Sequence, residues 1–369
     1  MSRHAYWLSA ALFIALVLAK FDPATGFTSL IRFGDTWENK RLPTLQSLPI
    51  ATVSGSNGYD GQFYATLAID PLLRDAQLGQ VLDAPAYRAR RILVPLAAYA
   101  AGFGRPWWIL QAFALVNVSC WFIFGALLRR IIDEPGWIGF ARWFACLFGM
   151  GVLDSVRQSL VDLPALLLLA LAIEAGKRQH SAREATWFAL AALAKETSLW
   201  GAAAVQAKNL MAGSWRRPLI VLLSAGLPIG LWSVYVGSRF QNPASSGLGN
   251  LSWPFAGLLT QLRYSLRELS FGNLDGRYSF GLLAMVGLAT QAVVLWRRPD
   301  RESPWWRAGA GYSVLLVFLS YWVWSGYWAV CRAVMPMTIA FNLLLSGRRF
   351  WPFWLLGNFT LLHAVWRFL

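Results

Sequence analysis

The chain alternates long apolar stretches with short basic ones, and the stretches have the lengths of membrane helices. Runs at about Ala5 to Ala19, Trp137 to Leu153, Leu163 to Ala175, Leu219 to Val236, Phe280 to Trp296, Ala308 to Trp324, Ala329 to Leu345 and Trp351 to Trp366 each predict a span. A polar region from Lys20 to Arg91 interrupts this regime, punctuated by Pro23, Pro43, Pro49, Gly55, Gly58, Pro71 and Pro85. A shorter interruption runs from Gly237 to Arg277. Connectors of that length usually have a function of their own.

Inside the first polar region, Tyr59, Phe63 and Leu67 recur at helical spacing in GYDGQFYATLAIDP, beside a stripe of Asp60, Tyr64 and Ala68. The pattern predicts an interfacial helix with its apolar face on the membrane and Asp60 at its edge, ended by Pro71. Two further places resist a simple reading. ILVPLAAYAAGFG, before the long run WWILQAFALVNVSCWFIFGALL, is either a short or re-entrant piece or a full crossing. Arg88, Arg90 and Arg91 on an outward loop violate the positive-inside expectation, and Arg129 and Arg130 do so too if both segments cross fully, unless a function needs the arginines there. WFALAALAKETSLWGAAAVQAKNLM has basic residues near both ends, which predicts two short helices turning back near Lys195 to Ser198. The whole is an all-α, polytopic bundle of ten to twelve membrane elements in one domain, 1–369, with outward loops at 20–91 and 237–277.

Composition agrees with that class. Of 369 residues, 57% are hydrophobic and 14% charged, with mean hydropathy +0.45. The net charge of +15 would suit nucleic acid if it formed one patch, but Arg and Lys cluster between apolar runs at 177–183, 216–217, 297–301 and 348–349. These connectors read as cytoplasmic, and nucleic-acid binding is not expected. The apolar start, preceded by Arg3 and His4, reads as an uncleaved first span whose beginning is cytoplasmic. Cys120, Cys146 and Cys331 sit in or beside apolar runs without metal or disulfide spacing. His4, His180 and His363 have no partner pattern.

Charged residues at membrane depth need a reason, because insertion costs on the order of 3 kcal/mol each. Lys195 with Glu196, Arg332 in AVCRAVMPM, and Asp154, Arg157 and Asp162 in DSVRQSLVD are the candidates, with Arg88 and Arg91 as further phosphate ligands. Tyr59, Gln62, Tyr64 and Asp70 join Asp60 as residues able to bind substrate. Nucleotide-binding loops, zinc-protease motifs and serine-nucleophile elbows are missing.

GYDGQFYATLAIDP followed by AYRARRILVP, then VRQSLVDLPALLLLA, LAKETSL and CRAVMP, form an ordered set that resembles integral-membrane glycosyltransferases of the GT-C superfamily. The first motif is similar to the first outward loop of mannosyltransferases that use polyprenyl-phosphate sugars. The resemblance implies a bacterial inner-membrane enzyme whose site faces the periplasm. It would transfer a sugar from a polyprenyl-phosphate donor to a lipid-linked or other envelope glycan acceptor, in contact with membrane lipids. Asp60 would be the base or acceptor-orienting group, and Lys195 and Arg332 would stabilise the leaving phosphate. That family often has an adjacent acidic pair or D-x-D in this loop. Here the nearest carboxylate in sequence is Asp70, so a metal-free mechanism is expected and no cofactor is assigned. The competing readings are a transporter or flippase of lipid-linked or amphipathic substrates, and an inactive scaffold in which Asp60 and Arg332 point away from any shared cavity.

Overall fold

The computed structural model describes residues 2–240, 247–273, 275–347 and 350–369. The Arg348 to Arg349 connector and part of the 237–277 loop lie outside the described residues. Helix occupies 74% of the chain and strand 2%, so the core is helix packed on helix. Pro106–Ile131, Arg216–Arg239 and Gly276–Arg297 are long and apolar enough to cross a bilayer. Two bent pairs raise the number to five if each is one span. Gly136–Phe148 meets Met150–Arg157 at 41° across Gly149, and Tyr327–Ala333 meets Met335–Leu344 at 67° across Val334. Pro336, in the first turn of the last helix, is tolerated there and cannot continue the helix before it.

The remaining apolar runs form shorter helices. Asp162–Lys177, Ser181–Ala194, Ser198–Met211 and Pro304–Phe318 have 16, 14, 14 and 15 residues, about 20–24 Å at 1.5 Å per residue. The stretch predicted at Trp351 to Trp366 breaks into Phe350–Gly357 and Leu361–Phe368. Leu93–Ala101 has only nine residues. It does not cross, so Arg129 and Arg130 lie at the end of the bundle opposite Arg88 and Arg91, as the charge rule requires.

Tertiary bonds fix the direction of each helix. At one end the Arg157 guanidinium donates to the Ser29 carbonyl and the Arg239 guanidinium to the Leu73 carbonyl. The Phe318 carbonyl there accepts from the Ser252 N–H. At the other end Arg217 pairs with Glu184, and Arg298 donates to the Ser346 carbonyl. The described parts of both long loops therefore share one end, and the described basic connectors share the other. As predicted, Ser181–Ala194 and Ser198–Met211 turn back on each other at Lys195 to Thr197, at the loop end.

The interior is aromatic. Phe13 stacks on Trp121 with ring centroids 3.8 Å apart, and the Trp121 indole donates to the Leu147 carbonyl. This ties the first helix, Ser2–Leu18, the long Pro106–Ile131 helix and the Gly136–Phe148 helix together, each large ring contributing about 2–3 kcal/mol of burial. Outside, Leu219, Leu223, Leu227 and Leu231 leave 49–70% of their surface uncovered, one residue per helical turn. Such a stripe is stable where lipid is the solvent.

The 20–91 loop is a compact cap. Phe33–Gly34 and Thr52–Val53 pair in parallel, with Phe33 opposite Thr52. Beneath them the helix Asp60–Ile69 is buried from Gly61 to Ala68. This corrects the expected interfacial helix. The apolar face of Phe63 and Leu67 meets protein, because the helix is inserted between the cap and the bundle, against Leu93–Ala101 and Pro106–Ile131.

Candidate active site

The glycines flanking Asp60 bring its helix into place. Gly58 has φ +76°, a left-handed conformation that suits glycine. A Cβ on Gly61 would lie 2.1 Å from the Gln158 carbonyl oxygen. The start of the Asp60 helix thus rests directly on the end of Met150–Arg157, and Tyr59 and Asp60 project into the space between loop and bundle.

On one side of that space, buried guanidiniums stand behind partly exposed carboxylates. Arg88 bonds Asp60 at 2.7 Å and Asp83 at 2.7 Å, with side-chain exposures of 8% for the arginine and 33% and 34% for the acids. Arg91 forms a two-point pair with Glu196 at 2.8 and 2.5 Å. Its other donors go to the hydroxyls of Tyr64, at 2.7 Å, and Tyr87. Asn250 of the second loop reaches the same Tyr87 hydroxyl at 3.2 Å. The fork geometry of arginine lets one side chain hold several oxygens at once.

On the other side Asp162 receives Lys195 at 2.5 Å and Arg332 at 3.3 Å. Arg332 also donates to the Tyr59 hydroxyl at 2.6 Å and pairs with Asp154 at 3.1 Å. Trp328 gives a second donor to Tyr59 at 2.9 Å. With two donors on its oxygen, Tyr59 has its own hydroxyl proton left to give. A cavity of about 10 Å³, roughly the space of one water, lies among Asp162, Lys195, Thr197, Tyr312 and Arg332.

The electrostatics favour full ionisation. Burial pushes the Asp60 carboxyl upward, but Arg88, helped by Arg332 and Arg91, more than reverses this and leaves it below the ordinary carboxylate value. Burial likewise opposes Glu196, and Arg91 brings it down to about 2. Burial raises Tyr59 and Tyr64 to about 12 against the pull of their arginines, so both phenols remain protonated at neutral pH.

Most of the predicted residues are therefore brought together: Asp60, Tyr59, Tyr64, Arg88, Arg91, Asp162, Lys195, Glu196 and Arg332. Two have other duties. The Asp70 carboxylate accepts the N–H groups of Arg74 and Asp75 at 2.5 and 2.7 Å, closing a turn at the end of its helix. Gln62 is buried as a brace, accepting from the Gly34 N–H and donating to the Asn57 carbonyl. Arg157 lies at the margin, bound to the Ser29 carbonyl at 3.0 Å. The sequence reading missed Asp83, Asn250 and Trp328, which have no motif around them, and passed over Tyr87 although it lies inside AYRARR. Among the described residues, no group of three or more His, Cys, Asp or Glu side chains is arranged to hold a metal ion.

A groove of about 840 Å³ runs between Ser198–Met211 and Pro304–Phe318, walled by Trp200, Trp296 and Trp306 over Ala203, Ala207 and Gly311. Tyr312 separates its upper end from the Lys195 cavity, donating its hydroxyl to the Thr197 carbonyl at 2.9 Å. Comparison with family models, curated proteins and solved structures gave no match to the chain.

Proposed function

We propose that the chain is a GT-C type membrane glycosyltransferase that moves a sugar from a polyprenyl-phosphate donor to a hydroxyl of a lipid-linked or other envelope glycan, on the outer face of a bacterial inner membrane. The observation that carries this reading is the position of Asp60, within the influence of Arg332 and next to the bonded group of Tyr59, Arg332, Asp162 and Lys195. Tyr59, adjacent to Asp60, holds Arg332, and Asp162 holds both Arg332 and Lys195. A carboxylate beside a set of fixed cations is the arrangement a displacement at a sugar carbon requires. The acceptor oxygen bonds to the anomeric carbon while the bond from that carbon to the phosphate oxygen breaks, and the electron pair leaves with the phosphate. The acceptor proton passes to Asp60, and the cations and the Tyr59 hydroxyl stabilise the departing charge.

The low proton affinity of Asp60 shapes this step. Held by Arg88, the carboxylate is a weak base, so it takes the proton late, when the new bond has made the acceptor oxygen acidic. A donor with a weakly basic leaving group suits that timing. Asp83 shares Arg88 with Asp60, so it supplies in space the second acid that the sequence lacks nearby. The Trp-walled groove, whose upper end is beside the Lys195 cavity, suits a prenyl chain.

The test incubates membranes holding wild type, Asp60→Asn or Asp70→Asn with labelled polyprenyl-phosphate sugars. Transfer is expected to fall about 100-fold or more in Asp60→Asn and to persist in Asp70→Asn, whose side chain closes a turn. Equal transfer by wild type and Asp60→Asn would remove Asp60 from the chemistry. Absence of transfer by wild type, with movement of the same lipids across vesicles, would favour the transporter.

A further inference from the structure

The charges of the loop end are unevenly balanced across Tyr59. On the Asp60 side, Asp60, Asp83 and Glu196 surround Arg88 and Arg91. On the other side two carboxylates, Asp154 and Asp162, serve Lys195, Arg332 and Arg367 in direct ion pairs. Arg32 and Arg157 stand beside the same Asp154, and among the described residues no carboxylate forms an ion pair with either. The one carboxylate near them is already committed to Arg332 at 3.1 Å, to Arg367 at 3.4 Å and to the Gln158 amide at 2.6 Å.

The backbone holds these cations close in spite of their repulsion. Arg32 sits at φ +63°, an uncommon conformation for a side chain of its size, and its carbonyl accepts the Tyr59 N–H at 3.1 Å. The Arg157 guanidinium is tied to the Ser29 carbonyl, and the Ser159 hydroxyl donates to the Leu30 carbonyl, which locks the Arg32 segment against the end of Met150–Arg157. Arg367 lies over the Trp328 ring at 4.1 Å. All three arginines are partly exposed, so the surplus charge is open to a ligand. Burial first, and then repulsion from Arg367, lower the Arg32 proton affinity against the pull of Asp154.

We propose that Arg32, Arg157 and Arg367 form a binding site for a phosphate ester, across Tyr59 from Asp60. Three partly exposed guanidinium forks gathered about Asp154 and Tyr59 suit a tetrahedral oxyanion, whose oxygens each take two donors. The spare Tyr59 proton is within the same group of residues. The site differs from the Lys195 and Arg332 pair, which share Asp162 between them. It follows from the charge balance alone, and stands whether or not Asp60 acts as a base.

The experiment uses the purified full chain in neutral detergent, with binding followed by calorimetry for three probes: inorganic phosphate, farnesyl phosphate and farnesol. Farnesyl phosphate is expected to bind, and farnesol to bind at least tenfold more weakly. Arg32→Gln and Arg157→Gln are each expected to weaken farnesyl phosphate about tenfold to a hundredfold, and Arg32→Lys to weaken it less than Arg32→Gln, since the charge is kept and the fork lost. Phosphate binding within tenfold of farnesyl phosphate identifies a site for the free anion; binding of farnesyl phosphate alone identifies a lipid-borne one. The unliganded Arg32→Gln protein is expected to have a Tm at or above wild type, since a repelled cation has been removed. Equal affinity for farnesol and farnesyl phosphate, or unchanged binding in both glutamine variants, overturns the proposal.

Discussion

The pair Arg91 and Glu196 shows how one residue contact becomes a measurable property of the protein. Glu196 lies in the break between two helices, and Arg91 holds its pKa at about 2 although burial acts the other way. A carboxylate whose folded pKa is below its unfolded value stabilises the protein above the unfolded pKa, and that contribution fades as pH falls through the folded one. Unfolding measured in detergent should therefore show stability declining from about pH 4.5 toward about pH 2. Glu196→Gln should be flatter over that window; an equally steep decline would show that other acids govern it. Arg91→Ala should be harsher, on the order of 3 kcal/mol, because it strands a mostly buried carboxylate and two tyrosine hydroxyls. The individual charged residues of this site were legible in sequence because charge is rare in so apolar a chain. Their pairings were not: Asp60 finds Asp83 through Arg88, and Arg91 finds Glu196 from 105 positions away.

At the scale of elements, the Asp60 helix depends on an approach that only glycine allows. Gly61→Ala would set a methyl group 2.1 Å from the Gln158 carbonyl, a backbone atom that cannot swing aside. The expected cost is about 1–3 kcal/mol, seen as a lower Tm together with loss of the activity that depends on Asp60. A variant with wild-type Tm would show that the two helices part easily. Helical periodicity found this element and Pro71 found its end, yet the same pattern misplaced it on the membrane surface. An apolar stripe records that a face is covered, and lipid and protein cover it equally well. The break at Lys195 to Thr197 was found because basic residues flank both short helices, a signal that survives burial. The division of Trp351 to Trp366 into two helices had no comparable mark.

For the whole molecule, the charge asymmetry between the two ends gives a test of orientation. Among the described residues the connectors rich in Arg and Lys gather at one end, while the end that carries both loops has Arg88 and Arg91 buried against carboxylates and the less fully paired Arg32, Arg157 and Arg367. The positive-inside rule counts the Arg and Lys of short connectors, so the expected orientation has the loop end away from the cytoplasm. Cys146 and Cys331 are buried and Cys120 half-buried, which leaves a low background for thiol labelling. Asn39→Cys, on the exposed surface of the first loop, and Arg183→Cys, on the exposed start of Ser181–Ala194, then report the two ends separately. In intact spheroplasts a membrane-impermeant maleimide should modify position 39 at once and position 183 only after permeabilisation. The opposite order would put Asp60 and its cations on the cytoplasmic side, where a donor presented at the outer face could not reach them, and the proposed reaction would fail even with every contact of the site intact.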